Sequence, residues 1–209
     1  MTDVRRVVLL AARRPGLELL RRMIASGGSY RVQAVWTHRL LPRSESSDRA
    51  VRPDFAAFES VCAQVRVPLH TADTRVESDT LAAGLACYDF DYLVSLSWRY
   101  AVRPDALGLA KVAAVNLHRG KLPAYAGAEP VRRMLEAGEK NAVITAHRMV
   151  ETIDAGEVLA ELEFPAKLRL GESMSEAAER VKEEITPHYF EALEMALKHI
   201  NAQNRRGNA

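Results

Sequence analysis

Val112-Ala113-Ala114-Val115-Asn116-Leu117-His118-Arg119-Gly120-Lys121-Leu122-Pro123 begins apolar and ends polar. Val112 to Val115 is a short aliphatic run of the kind that forms a buried strand in a parallel sheet. Asn116 and His118 stand where that strand ends, two residues apart. Strand side chains repeat every second residue, so both point the same way. In an open α/β sheet, ligands bind beyond the carboxyl ends of the strands. An amide donor beside an imidazole at that edge can hold an oxyanion and move a proton. Taken alone, the pair has a plainer reading: the amide bonds a turn and the imidazole is a satisfied structural group. The downstream sequence favours chemistry. Thr145-Ala146-His147 ends another apolar strand, and Glu151-Thr152-Ile153-Asp154-Ala155-Gly156 places a carboxylate before a glycine in a polar loop.

The N-terminal side of this stretch reads as a β-α-β opening. Arg6 to Ala12 is a strand of β-branched and aliphatic residues, and Arg13-Arg14-Pro15-Gly16 is a turn. Pro15 suits the first turn of a helix, along which Leu17, Leu20 and Ile24 recur before Gly27-Gly28 ends it. Tyr30 to Thr37 is the second strand, parallel to the first by the handedness of such units. Residues 38–53 read as a long, mobile polar loop of a length often used for function. A helix over 55–65, a strand over 67–70, a helix over 77–86 and a core strand over 92–97 follow, then a short helix from Pro104. Beyond the opening stretch come a helix between Gly127 and Gly138, and strands over 142–147 and 158–164. Ser173-Met174-Ser175-Glu176 is a capping box opening a long last helix that Pro187 should kink. The expected fold is one α/β domain over 1–200, a mostly parallel central sheet with helices on both faces, and a polar tail over 201–209.

Composition narrows the functions. At 209 residues, with 48% hydrophobic and 27% charged residues, this is an ordinary globular chain. A net charge of +2, from 29 basic against 27 acidic residues, gives no footing for nucleic acid. Cys62 and Cys87 lack C-x-x-C spacing and read as reduced thiols, and the six histidines are scattered, so no metal is expected. Val7 to Ala12 is too short for a secretory signal and no run approaches a membrane span, so a cytoplasmic protein is expected. Oligomeric state is left open.

Asn116-Leu117-His118, Leu122-Pro123, Thr145-Ala146-His147 and Asp154-Ala155-Gly156 together resemble the signature of the folate-dependent formyltransferases. In length the chain is most similar to the glycinamide ribonucleotide transformylases, and the likeness runs from about residue 91 to 200. It implies a formyltransferase-like, Rossmann-related fold and 10-formyltetrahydrofolate as co-substrate. It implies Asn116, His118 and Asp154 as the catalytic set. Trp98, Arg99, Tyr100, Ala101 and Val102 would clasp the pterin through their backbone, with His147, Val150, Glu151 and Thr152 beside it.

Two departures fall on the acceptor side. Arg119-Gly120-Lys121 stands where the family usually has Pro-Ser-Leu, and Arg13-Arg14 replaces a Gly-rich phosphate loop after the first strand. These five residues are the expected acceptor contacts, and their charge suits a small anionic amine. These departures disfavour glycinamide ribonucleotide itself as the acceptor, while phosphoribosylglycinamide-type and amino-sugar-type acceptors both remain. A 10-formyltetrahydrofolate hydrolase with the same triad and a non-catalytic folate-binding module are the alternatives. Hydrolases of this kind carry a further N-terminal domain, and initiator-tRNA formylases a further C-terminal one; neither is expected here.

Overall fold

The computed structural model describes residues 4–207. The chain divides into two compact units, Met1–Ala114 and Val115–Ala209. The first holds β1 (Arg5–Ala11), α1 (Arg13–Ile24), β2 (Tyr30–Thr37), α2 (Phe55–Gln64), β3 (Leu69–Thr71), α3 (Arg75–Asp79), α4 (Leu81–Leu85), β4 (Tyr92–Leu96) and α5 (Pro104–Leu107). The second holds β5 (Ala113–His118, which begins at the boundary), α6 (Pro130–Glu136), β6 (Asn141–Arg148), β7 (Val158–Pro165), α7 (Met174–Ile185) and α8 (Tyr189–Gly207). The seven strands form one mixed, mostly parallel sheet in the order β3-β2-β1-β4-β5-β6-β7.

In the first unit β1 pairs in parallel with β2 and β4, and β2 with β3. Val7 to Ala11 and Leu93, Val94 and Leu96 have no exposed surface, as the continuous apolar runs require. Arg13 and Arg14 are not a turn. They begin α1, with Arg13 in the left-handed region (φ 65°). The helix expected over 77–86 is two short helices parted at Thr80. The first starts earlier, because the Thr74 hydroxyl accepts from the Glu77 N–H at 3.2 Å while the Glu77 carboxylate accepts from the Thr74 N–H at 2.7 Å. Residues 38–53 are a tied excursion instead of a free loop: Leu40 bridges Val51, and the Arg52 N–H donates to the Arg39 carbonyl at 2.8 Å. Both cysteines are free thiols, and burial pushes the Cys62 thiol up to about 11.

In the second unit β6 pairs antiparallel with both β5 and β7. The nine residues between β6 and β7 are too few for a crossover helix, so the strands fold back as a hairpin. The capping box at Ser173 and Glu176 forms as expected. At Pro187 the helix breaks more sharply than a kink: α7 stops at Ile185, one 3-10 turn spans Thr186–His188, and α8 resumes at Tyr189. Ala192, Leu193, Ala196, Leu197 and Ile200 form a fully buried stripe on α8. The polar residues 201–207 are helical too, not a tail; 208–209 lie outside the described residues. Gln203 explains the extension: it accepts from Arg148 at 3.2 Å and donates to Glu157 at 2.7 Å. Among the described residues no helix is long and apolar enough to cross a membrane.

Candidate active site

β5 carries its strand hydrogen bonding through His118, further than the apolar run alone implied, and its register sets Asn116 opposite His147 and His118 opposite Thr145. Asn116 and His118 therefore share one face of the sheet, with His147 on the neighbouring strand. Asp154, in the left-handed region (φ 55°), brings its carboxylate to all three. Its Oδ1 lies 3.4 Å from Asn116 Nδ2 and 3.3 Å from His147 Nε2, and its Oδ2 lies 3.3 Å from His118 Nδ1. The Gly127 N–H donates to Oδ2 at 2.8 Å. The side chains of His118 and Asp154 are only 9% and 7% exposed.

Hydrogen bonding orders the protons. His147 Nδ1 faces the Arg148 carbonyl at 3.0 Å, and its Nε2 lies 3.0 Å from Asn116 Nδ2 and 3.3 Å from Asp154 Oδ1. His118 Nε2 faces the Tyr125 carbonyl at 2.8 Å and donates to it, which leaves Nδ1 toward Asp154. Burial lowers the His118 pKa, against the Asp154 charge and the Tyr125 carbonyl, which favour the charged ring. For Asp154, burial is the largest influence and alone would raise its pKa. The His147 ring, the Gly127 N–H and the His118 ring together outweigh burial and hold it below the usual carboxylate value. A neutral imidazole with an N–H on one side and an ionised carboxylate on the other can donate to a developing oxyanion and take up a proton.

The other residues singled out in the second unit divide. Val150, Glu151 and Thr152 are exposed in the loop before Asp154. Lys121 is exposed, while Gly120 is buried and is explained by packing, not by contact with an acceptor. A Cβ on Gly120 would stand 2.7 Å from the Pro130 Cβ and 3.1 Å from both His118 Nε2 and the Tyr125 Cβ. The Thr145 hydroxyl donates to the Gly120 carbonyl at 2.8 Å, which fixes this turn to β6. Sequence reasoning missed Tyr125 and Gly127, whose contributions come from backbone atoms that no side-chain pattern reveals.

In the first unit, Trp98 to Val102 follow the end of β4. His38, at the end of β2, organises them and was also missed. Its ring stacks on Trp98 at 4.2 Å and meets Tyr100 edge-on at 5.5 Å. Its Nε2 accepts from the Arg99 N–H at 3.0 Å, and its Nδ1 donates to the Ala72 carbonyl at 2.5 Å. Trp98 Nε1 is a buried donor without a partner. Arg13 forms an ion pair with Glu45, which competes with any acceptor for its charge.

Desolvation lowers the His38 pKa to about 3, and the charges of Arg99, Arg52 and Arg13 act in the same direction against the bond to Ala72. The unfolded chain binds this proton near pH 6.5 and the folded protein does not, so stability falls as pH falls from 6.5 toward 3. The cost is about 1.4 kcal/mol per pH unit, or about 2 kcal/mol by pH 5. Urea unfolding at pH 7.5 and 5 measures it. His38→Asn should flatten the slope by about that amount, and an unchanged slope would refute the assignment.

The fold is that of the formyl transferase family. The chain belongs to the formyl transferase family, whose model matches residues 24–193. Solved structures with the same fold include glycinamide ribonucleotide transformylase 1 from Symbiobacterium toebii, at 24% identity and TM-score 0.69 over 90% of this chain and 85% of that one. Phosphoribosylglycinamide formyltransferase from Bacillus halodurans superposes with TM-score 0.70 at 18% identity, over 92% and 94% of the two chains. A formyltetrahydrofolate deformylase from Pseudomonas syringae gives 0.72 at 17% identity, over 96% of this chain and 62% of that one.

Proposed function

We propose that this protein transfers the formyl group of 10-formyltetrahydrofolate to the amine of a small anionic acceptor. The observation that carries the reading is the bridging of Asn116, His118 and His147 by one buried carboxylate, Asp154. The amine attacks the formyl carbon and the carbonyl oxygen becomes an oxyanion. The Asn116 amide donates to it, and the His118 Nε2–H is shared between it and the Tyr125 carbonyl. The contact of Asn116 Nδ2 with Asp154 Oδ1, at 3.4 Å between heavy atoms, is the longer of that amide's two, and its hydrogen is the one free to turn. The proton lost by the amine passes to the His118–Asp154 pair, directly or through a water, and the pair returns it to the folate nitrogen as the intermediate collapses, so that the C–N bond breaks and the nitrogen leaves as a neutral amine. The orphaned Trp98 Nε1 donor fits a polar heterocycle, and residues 98–102 in the first unit are proposed as folate contacts; residues 150–152 are proposed as such in the second. Arg119 and Lys121, with Arg14, are the proposed source of charge for the acceptor.

The test is a formyl-transfer assay over a panel of anionic amines, including glycinamide ribonucleotide and amino sugar nucleotides, with donor loss followed spectroscopically. Turnover of roughly 1–1000 per second on one of them is expected. Formate release that needs no amine would assign a hydrolase instead. Turnover on glycinamide ribonucleotide in that range would overturn the inference, drawn from Arg13-Arg14 and Arg119-Gly120-Lys121, that the acceptor has changed.

A further inference from the structure

One side chain on α6 grips the segment that lies against the candidate site. Arg133 Nη1 donates to the Ala126 carbonyl at 2.7 Å and to the Ala128 carbonyl at 3.3 Å, and Nη2 donates to the Ala124 carbonyl at 3.2 Å. The guanidinium carbon lies 5.7 Å from the centroid of the Tyr125 ring, whose hydroxyl donates to Glu139 at 2.9 Å. A planar cation with five donors is suited to gathering carbonyls in this way. A turn holds the start of this segment, with the Tyr125 N–H donating to the Lys121 carbonyl at 2.8 Å and the Ala126 N–H to the Pro123 carbonyl at 3.3 Å; residues 126–128 belong to no helix or strand, and the Arg133 bonds fix their backbone.

That backbone makes two of the contacts on the reacting pair. The Tyr125 carbonyl accepts from His118 Nε2, and the Gly127 N–H donates to Asp154 Oδ2, each at 2.8 Å. The bare Gly120 admits the strap: any Cβ there would press on Tyr125, Pro130 and the His118 ring together. A mispositioned strap would therefore change hydrogen bonding on the imidazole and the carboxylate at once.

We propose that Arg133 is a positioning residue for formyl transfer, acting on His118 and Asp154 through the backbone of residues 124–128. The inference rests on the reading of those two residues as the acid–base pair. A solvated helix arginine would bond water or a neighbouring acid; this one bonds three carbonyls of one five-residue strap. The charged and titratable groups acting on His118 are Asp154 from the loop after β6, His147 on β6 and Arg119 beside it. Arg133 acts differently, by fixing the Tyr125 carbonyl that favours the charged ring and the Gly127 N–H that favours the carboxylate.

The experiment needs no substrate. The His118 ring is titrated by NMR, and exchange of the Gly127 amide is measured, in wild type, Arg133→Met and Arg133→Lys. In Arg133→Met the His118 titration should move to lower pH, and the Gly127 amide should exchange on the order of tenfold faster or more as local opening becomes easier. Arg133→Lys, which keeps the charge and three donors, should fall between Met and wild type. Turnover of Arg133→Met should fall on the order of tenfold to a hundredfold, with the donor KM little changed. A folded Arg133→Met with the wild-type titration and wild-type Gly127 exchange overturns the proposal. If Arg133→Met does not fold, Arg133→Gln carries the same readouts: an intermediate shift supports the proposal and wild-type behaviour overturns it. Absence of formyl transfer in wild type would instead remove the functional reading and leave the NMR result standing.

Discussion

His118→Ala is expected to lower formyl transfer on the order of a hundredfold or more, and Asp154→Asn by a comparable factor, with each protein still folded. Removing one preorganised donor to an oxyanion costs roughly 10²–10³ in turnover, or about 2.7–4 kcal/mol. His118 is that donor in the proposed reaction. Its Nε2–H is held by the Tyr125 carbonyl at 2.8 Å, so the ring is oriented before substrate arrives. Asp154→Asn keeps the shape. The side-chain oxygen can still accept from Gly127, but the charge that would stabilise a protonated His118 is gone. Asn116→Ala removes the second donor and unpairs His147 Nε2. These residues act as one unit, so the double variant His118→Ala with Asp154→Asn should lose little more than either single. Steady-state rates with thermal unfolding on the same samples make the measurement. His118→Ala within threefold of wild type would end the assignment.

The sequence disclosed those parts of the fold and site that are written in side-chain periodicity. The β1-α1-β2 opening was legible because its apolar runs are long, Pro15 falls in the first turn of the helix and Gly27-Gly28 follow its end. Asn116 and His118 were legible because two positions apart on a strand means one face. Asp154 was marked locally only as a carboxylate before a glycine in a polar loop, and its pairing with His118 came from the family resemblance. What stayed hidden is carried by backbone atoms or by contacts distant in sequence. The Tyr125 carbonyl and Gly127 N–H leave no trace in residue type, and His38 looked like any histidine after a strand until the structure set Ala72 and Arg99 against its two nitrogens. The division at Thr80 was missed because Val76 to Leu85 keeps a helical look across the break.

The departure at Gly120 shows how structure reassigns a residue. Read as sequence, Arg119-Gly120-Lys121 was a changed acceptor wall. In the fold Gly120 is an interior position, where the start of α6 and the strap close on the His118 ring. The glycine there is accounted for by packing around the proposed proton-transfer group, and Arg119 and Lys121 are the proposed acceptor contacts on that segment. On that proposal the acceptor contacts and the restraint on His118 lie in adjacent residues, and exchanging the three as a block is expected to alter both.

Gly156→Ala should combine a loss of turnover near a hundredfold with a loss of stability. A Cβ at this position would stand 1.7 Å from the Arg148 carbonyl oxygen and 2.8 Å from its carbon. Both are backbone atoms of β6, so no side chain can rotate away and the main chain itself must move. The Arg148 peptide is fixed from the other side, because its N–H donates to the Glu157 carbonyl at 2.8 Å and closes the hairpin. Its carbonyl also accepts from His147 Nδ1 at 3.0 Å, the bond that turns His147 Nε2 toward Asn116. Displacing the carbonyl therefore releases the His147 ring, while displacing residue 156 drags Asp154, two positions earlier, away from His118 and Gly127. Forcing a methyl into such a contact costs typically about 1–3 kcal/mol, and a misplacement of about 1 Å at a reacting group can cost about a hundredfold in rate. Urea unfolding and turnover on one preparation report both losses. A Gly156→Ala protein that keeps turnover within threefold and stability within about 0.5 kcal/mol, the range of an ordinary surface substitution, would show that the hairpin yields without moving Asp154, and the argument that Gly156 holds the carboxylate in place would fail.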